Sequence, residues 1–191
     1  MVVVQAAEVR ILREHPGAAL KLQENRASNP MTKQQFIASA MAAARQSSAS
    51  SSFLPGVAVA QAALESAWGE SRLALKAKNY FGIKRHAAVP CITMPTSECV
   101  NGVFIKTVAS FARFESMAEC FAERDRIIAS LPIYAEARGH AAEPVAFVHS
   151  LAKHWATDPG YAEKVLRIYR ESGLDKLDQP SLTVDFSAKE K

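Results

Sequence analysis

The sequence predicts a mainly α protein with one small β-hairpin lobe, and three observations carry the prediction. Apolar residues recur at three- and four-residue spacing in several segments, most of which open on a capping residue or a proline. Between them, "VPCITMPTSECVNGVFIKTV" (Val89–Val108) changes to β-branched residues, prolines and turn formers, with Asn101-Gly102 as a hairpin signal. The chain's 191 residues, 49% hydrophobic and 22% charged, suit one main domain with a sizeable core.

Residues 1 to 30 hold a modest helical pattern (Val9, Leu12, Leu20) cut by Pro16 and Gly17 and ending in polar "ENRASNP", so they read as a loosely attached arm. The domain opens at Met31, where Thr32 and Gln35 have the spacing of a capping box. The first helix then carries Phe36, Ile37, Ala40, Met41 and Ala44 on one face and is expected to end in the serine-rich loop "QSSASSS". Pro55 suits the first turn of a second helix running to about Trp68, where Gly69 stops it, and a short third helix spans Ser71 to Lys76. Beyond a β-lobe of two or three strands, Ser116 caps a helix to about Ser130 and Glu143-Pro144 opens another to about His154. Pro159-Gly160 precedes a last helix to about Ser172, which gives a domain over residues 31 to 178 and a polar tail over 179 to 191.

Composition excludes several functions. No apolar run approaches the length of a membrane span, and no basic region followed by a long apolar core marks a signal peptide at the start. The net charge of +4 gives a mildly basic surface without the clustered footprint of a nucleic-acid binder. The five histidines lack ligand partners at metal spacing, so neither metal nor cofactor is expected. Three cysteines make no paired framework, although Cys91 and Cys99 are candidates to pair across the hairpin. The expected state is a monomer.

The second helix raises the chemical question, because Glu65 is the one charged residue between Pro55 and Trp68. A helix that is apolar nearly all round belongs in a core, and burial raises a carboxyl pKa, which makes a buried glutamate a general acid near neutral pH. The plainer alternative pairs Glu65 with a cation or places it at an exposed edge. Gln61, one turn earlier on the same face, would help line a shared cleft.

The stretch "AQAALESAWGESRLALKAKNYFGIK" (Ala60–Lys84) resembles the signature of the bacterial β-N-acetylglucosaminidase family of glycoside hydrolases, family 73, which includes the peptidoglycan-hydrolysing domain of a flagellar rod-assembly protein and several autolysins. Three later blocks, "TSEC" followed by "NG", "FARFES" and "WATDPGYAEKV", resemble further family segments in the expected order, so the resemblance covers roughly Lys33 to Asp178. Phe114 and Trp155 depart from it, each standing where the family usually has a tyrosine. The resemblance implies a lysozyme-like α+β fold whose helical body and β-hairpin lobe flank a cleft, and peptidoglycan glycan strands as substrate.

Glycoside hydrolysis needs a proton donor to the leaving oxygen and a group that stabilises or captures the oxocarbenium-like sugar on its other face. Glu65 fits the donor, and Glu98, matched to the lobe glutamate, is the candidate partner. Two routes stay open: inversion with Glu98 activating water, or attack by the sugar's own N-acetyl oxygen. Tyr161 matches the tyrosine of the last block and would act near the scissile bond, or else is a core tyrosine with a satisfied hydroxyl. Asn79, Tyr80, Phe81 and Gly82, with Gln61 and Trp155, are the candidate substrate contacts, with core packing an equal reading for Phe81. Thr157 and Asp158 suit a helix cap rather than chemistry. Action in the periplasm or cell envelope follows from such a substrate, and the rival reading is a peptidoglycan-binding module that kept the fold without turnover.

Overall fold

A computed structural model describes residues 31–51, 53–86, 89–100 and 103–178, with the side chains of 50, 97–100 and 103–105 outside the described set. The arm over 1–30, the Asn101-Gly102 turn and the tail over 179–191 also lie outside it. The helices are α1 (Lys33–Ser51), α2 (Pro55–Ser66), α3 (Arg72–Ala77), α4 (Met117–Ser130), α5 (Ala135–Gly139), α6 (Pro144–Trp155), α7 (Tyr161–Glu171) and α8 (Leu174–Leu177). Between α3 and α4 run the antiparallel strands β1 (Cys91–Val100) and β2 (Val103–Ala112). This is a mainly α architecture with one β-hairpin.

Helix α2 is the axis of the body. It packs against α1, α7 and α8, and ten of its twelve residues are buried, from Gly56 to Ser66. Alanine-rich sequence favours the helix, and Pro55 occupies its first turn, where a missing N–H costs nothing. Its orphan N-terminal donors find a partner far along the chain: Gly56 N donates to Asp178 Oδ1 at 2.7 Å, and Tyr169 donates to the other carboxylate oxygen at 3.0 Å. A Cβ at Gly56 would come within 2.7 Å of both Asp178 Oδ2 and the Leu174 carbonyl, so glycine is what lets α8 approach this closely.

Several local expectations are met. Thr32 and Gln35 form the reciprocal capping box, with Thr32 N donating to Gln35 Oε1 at 2.9 Å and Gln35 N to Thr32 Oγ1 at 3.2 Å. Ser116 caps α4 by accepting from Glu119 N at 3.0 Å. The cap of α7 is instead Gly160, and Asp158 holds the turn before it by accepting from Gly160 N at 2.8 Å.

Two expectations fail. The serine-rich segment continues α1 instead of forming a loop, because Ser47 and Ser51 both donate to the buried Asp125 carboxylate on α4, the latter at 2.8 Å. Cys91 is a free thiol, and the Cys91–Cys99 pairing is geometrically excluded. Both residues sit on the same strand, eight positions apart, roughly 26 Å at strand rise, whereas a disulfide needs Cα atoms within about 7 Å.

The hairpin is anchored at its foot. Ala112 N donates to Ile83 O at 2.9 Å, Arg113 N to Pro90 O at 2.8 Å and Arg85 N to Ser110 O at 2.9 Å. Burial among its described side chains concentrates there, at Met94, Phe111 and Ala112, while Val108 is 64% exposed. Pro95 is tolerated within β1 because a two-stranded sheet has only edges.

Candidate active site

Glu65 lies in the last turn of α2 and is 7% exposed. Burial pushes its carboxyl from an ordinary 4.5 up to about 7, and the Tyr161 hydroxyl and Trp155 indole offset part of that rise. It has no salt-bridge partner among the described residues, so near neutral pH a substantial fraction of the carboxyl keeps its proton.

Four buried side-chain atoms here close no hydrogen bond: Glu65 Oε1, Gln61 Nε2, Trp155 Nε1 and Tyr161 Oη. Tyr161 nonetheless acts on both Glu65 and Gln61, and Trp155 on Glu65, so the four groups lie close together as loosely aligned donors and acceptors. Unsatisfied buried polar groups are rare enough that a cluster of them calls for a functional reason. Tyr161 is fully buried, and burial together with the nearby Glu65 carboxylate holds its phenol protonated far above neutral pH. It is therefore a hydrogen-bond donor and not a base.

Directly after Glu65 the backbone turns left-handed. Ala67 has φ 50°, Trp68 φ 60° and Gly69 φ 85°, and helix α2 ends at Ser66, two residues earlier than Gly69 alone predicts. Ser66 secures the turn, its hydroxyl donating to Ala62 O at 2.6 Å and accepting from Gly69 N at 2.8 Å. The turn carries Trp68 to the surface of the body, where its ring is half-buried, meets Phe36 edge-on at 6.0 Å and lies under Lys33 Nζ at 4.9 Å. Tyr80, also half-buried, flanks the same Phe36 at 6.2 Å. Trp68 and Tyr80 are thus partly exposed aromatics packed on the core.

Three candidate substrate contacts are instead structural. Phe81 is wholly buried, 4.8 Å from Phe121 and 6.4 Å from Trp155 between ring centroids, so it offers sugar no face. Trp155 is likewise enclosed, and only its indole N–H bears on the site. Asn79 is saturated: its amide donates to Ile83 O and Ala112 O, each at 2.9 Å, and its carbonyl accepts from Ile83 N at 3.0 Å and Phe81 N at 3.4 Å. It staples the hairpin foot to the body. Gly82 has φ 64°, which explains the glycine as a turn requirement.

Glu98 pairs with Ile105 in the third rung from the hairpin tip, so it lies in a regular ladder of the β-lobe. Its side chain is outside the described set.

One polar cluster was missed from sequence. Arg124 on α4 is wholly buried, donating through Nε to Gln61 Oε1 at 3.0 Å and through a terminal nitrogen to Asp125 Oδ1 at 2.6 Å. Its guanidinium lies 5.9 Å from the ring centroids of both Phe81 and Phe147. The signal was present, since Cys120, Arg124, Ile127 and Ile128 share one helical stripe. A surface hollow of about 390 Å³ on α7, walled by Glu163, Lys164, Arg167, Arg170 and Glu171, lacks such convergent buried groups.

Comparison with known proteins bears on the fold and the family. The exo-glucosaminidase LytG of Bacillus subtilis is 32% identical over 145 residues, 71% of this chain and 51% of that protein. A probable N-acetylmuramidase of Lactococcus lactis is 31% identical over 153 residues, 76% of this chain and 35% of that protein. The chain thus spans about half of the first of these curated relatives and about a third of the second. Among solved structures, the catalytic domain of the autolysin Auto from Listeria monocytogenes superposes with a TM-score of 0.70 at 30% identity, covering 80% of this chain and 91% of that one. The family model for Glucosaminidase, described as mannosyl-glycoprotein endo-β-N-acetylglucosaminidase, matches residues 41–174, and the chain belongs to that family of glycoside hydrolases.

Proposed function

We propose that this chain hydrolyses peptidoglycan glycan strands at the β-1,4 bond following N-acetylglucosamine, with Glu65 as the general acid. The observation that carries the reading is the Glu65 carboxyl itself, held protonated to about 7 by burial and surrounded by polar atoms without partners. When a glycosidic oxygen enters this space, Glu65 gives it the proton, the C–O bond to the anomeric carbon breaks, and the leaving sugar departs as an alcohol. The carboxylate left behind is stabilised by the Tyr161 hydroxyl and the Trp155 indole N–H, the same groups that already favour its ionised form.

Capture of the oxocarbenium-like sugar follows one of two routes. In the first, Glu98 removes a proton from water attacking the opposite face and the product anomer is inverted. In the second, the N-acetyl oxygen attacks, water opens the resulting ring, and the anomer is retained. Trp68 and Tyr80 supply flat faces against which sugar rings stack. The substrate places the activity in the cell envelope.

The relatives above are named for different sugars, a glucosaminidase and a muramidase, so the bond must be tested directly. Wild-type protein digesting purified cell walls is expected to release fragments whose reducing end is N-acetylglucosamine by mass spectrometry, and a muramic-acid reducing end would overturn the bond assignment. Glu65→Gln is expected to lose about 10²-fold or more in rate. A non-catalytic binding module would instead be retained on insoluble peptidoglycan and release no reducing ends.

A further inference from the structure

We propose that Arg124 is a positioning residue for this reaction: its guanidinium pins the Gln61 carboxamide so that the amide N–H group faces the Tyr161 phenol oxygen and leaves that phenol's proton for Glu65. The inference rests on the proposed role of Glu65.

The argument is one of donor and acceptor polarity. Arg124 has only donors, so the Gln61 atom it meets at 3.0 Å must be the carbonyl oxygen. That fixes the amide's orientation and leaves Nε2 as its donor side, which closes no hydrogen bond here, as the Tyr161 hydroxyl it bears on closes none. Gln61 bears on Tyr161 in the sense of a donor to the phenol oxygen, and Glu65 in the sense of an acceptor from it. A phenol that accepts from one side donates to the other. The sequence Arg124 to Gln61 to Tyr161 to Glu65 therefore has one consistent direction, ending on the carboxylate that forms when Glu65 has given up its proton. Its first link is closed and the later ones are loose, as expected where alignment tightens only around substrate.

Arg124 is itself held by Asp125 at 2.6 Å and by the rings of Phe81 and Phe147, with its second terminal nitrogen unpaired. Other charges near α2 have different business: Lys33 lies over Trp68, Arg45 and Asp178 act on each other toward the opposite end of the helix, and Glu163 faces His149 at 3.5 Å. The groups bearing on Glu65 are Tyr161 from α7 and Trp155 from α6, with Arg124 acting on Tyr161 from α4.

The test titrates the Glu65 carboxyl by carbon NMR in the full chain, its resonance assigned by Glu65→Gln. Two perturbations break the sequence at different links. Gln61→Met removes the middle, while Arg124→Met with Asp125→Asn removes the anchor without leaving a buried charge unpaired and with no change in net charge. Each is expected to raise the Glu65 midpoint by about one pH unit, because the carboxylate loses an aligned donor. The basic limb of kcat should move with it, kcat should fall by roughly tenfold, and KM should stay within about twofold. Combining all three substitutions should shift the midpoint no further than either variant alone. A Glu65 midpoint unmoved by Gln61→Met overturns the proposal, whatever becomes of the Arg124 variant's folding, and so do shifts that add. The titration reads a carboxyl and not turnover, so an active Glu65→Gln enzyme would overturn the function proposed above while the NMR midpoints still judge Arg124.

Discussion

Holding a carboxyl protonated inside α2 has a stability signature that needs no substrate. In the folded protein Glu65 titrates at about 7 instead of its ordinary 4.5. At about 1.4 kcal/mol per pH unit, ionising it in place is disfavoured by about 3 kcal/mol relative to the unfolded chain. The folded state binds the extra proton between those two values, so stability falls with pH across that window and levels off above it. Glu65→Gln cannot ionise and is expected to escape the loss. The variant should match wild type near pH 4.5 to within its own substitution offset, then exceed it progressively, the gap widening by about 3 kcal/mol by pH 8. For a domain of this size that is a difference of roughly 6 to 12 °C in Tm. Urea unfolding of the two proteins at half-unit steps from pH 4.5 to 8.5 measures it, and a difference that stays flat with pH would refute the claim that burial holds this carboxyl protonated.

Two further outcomes concern the ends of the same helix. Ala67→Gly relieves a left-handed residue that favours glycine, so despite the added freedom of the unfolded chain it should stabilise the protein by about 0.5–1 kcal/mol, read from the urea midpoint. Gly56→Ala places a methyl group 2.7 Å from Asp178 Oδ2 and the Leu174 carbonyl, forcing α8 off the start of α2. It should destabilise by about 1–3 kcal/mol, and less when Asp178 is already replaced by Ala, because the two changes disrupt one contact.

What could be read from sequence was what local chemistry decides. Thr32 and Gln35 cap α1 within four residues, and Glu65 stands out because its neighbours on α2 are apolar. What could not be read depends on residues distant in sequence. The serines of α1 stay helical because Asp125 on α4 accepts from Ser47 and Ser51, and no count of serines reveals that acceptor. Asn79, Phe81 and Trp155 illustrate a different failure. Their blocks resemble the family, but a matched block does not say whether a side chain touches sugar, stacks in the core or staples a loop. The partial exposure of Trp68 likewise depends on two consecutive left-handed residues, Ala67 and Trp68, which no apolar pattern announces.

Those left-handed residues bear on the function. Along α2, packing is favourable from Gly56 to Ala60, an unpaired amide nitrogen follows at Gln61, and further unfavourable features then crowd into a few positions: a buried carboxyl at Glu65, a left-handed alanine at Ala67 and a left-handed tryptophan at Trp68. Each costs about 1–3 kcal/mol, and a sequence selected for stability alone would place a leucine or glutamine at 65 and a glycine at 67. The turn's return is positional. It stops the helix one residue after the acid and brings Trp68 to a partly exposed position against Phe36 and Lys33. Strain and unpaired polarity confined to one end of an otherwise well-packed helix are what a site shaped for a substrate looks like before the substrate arrives.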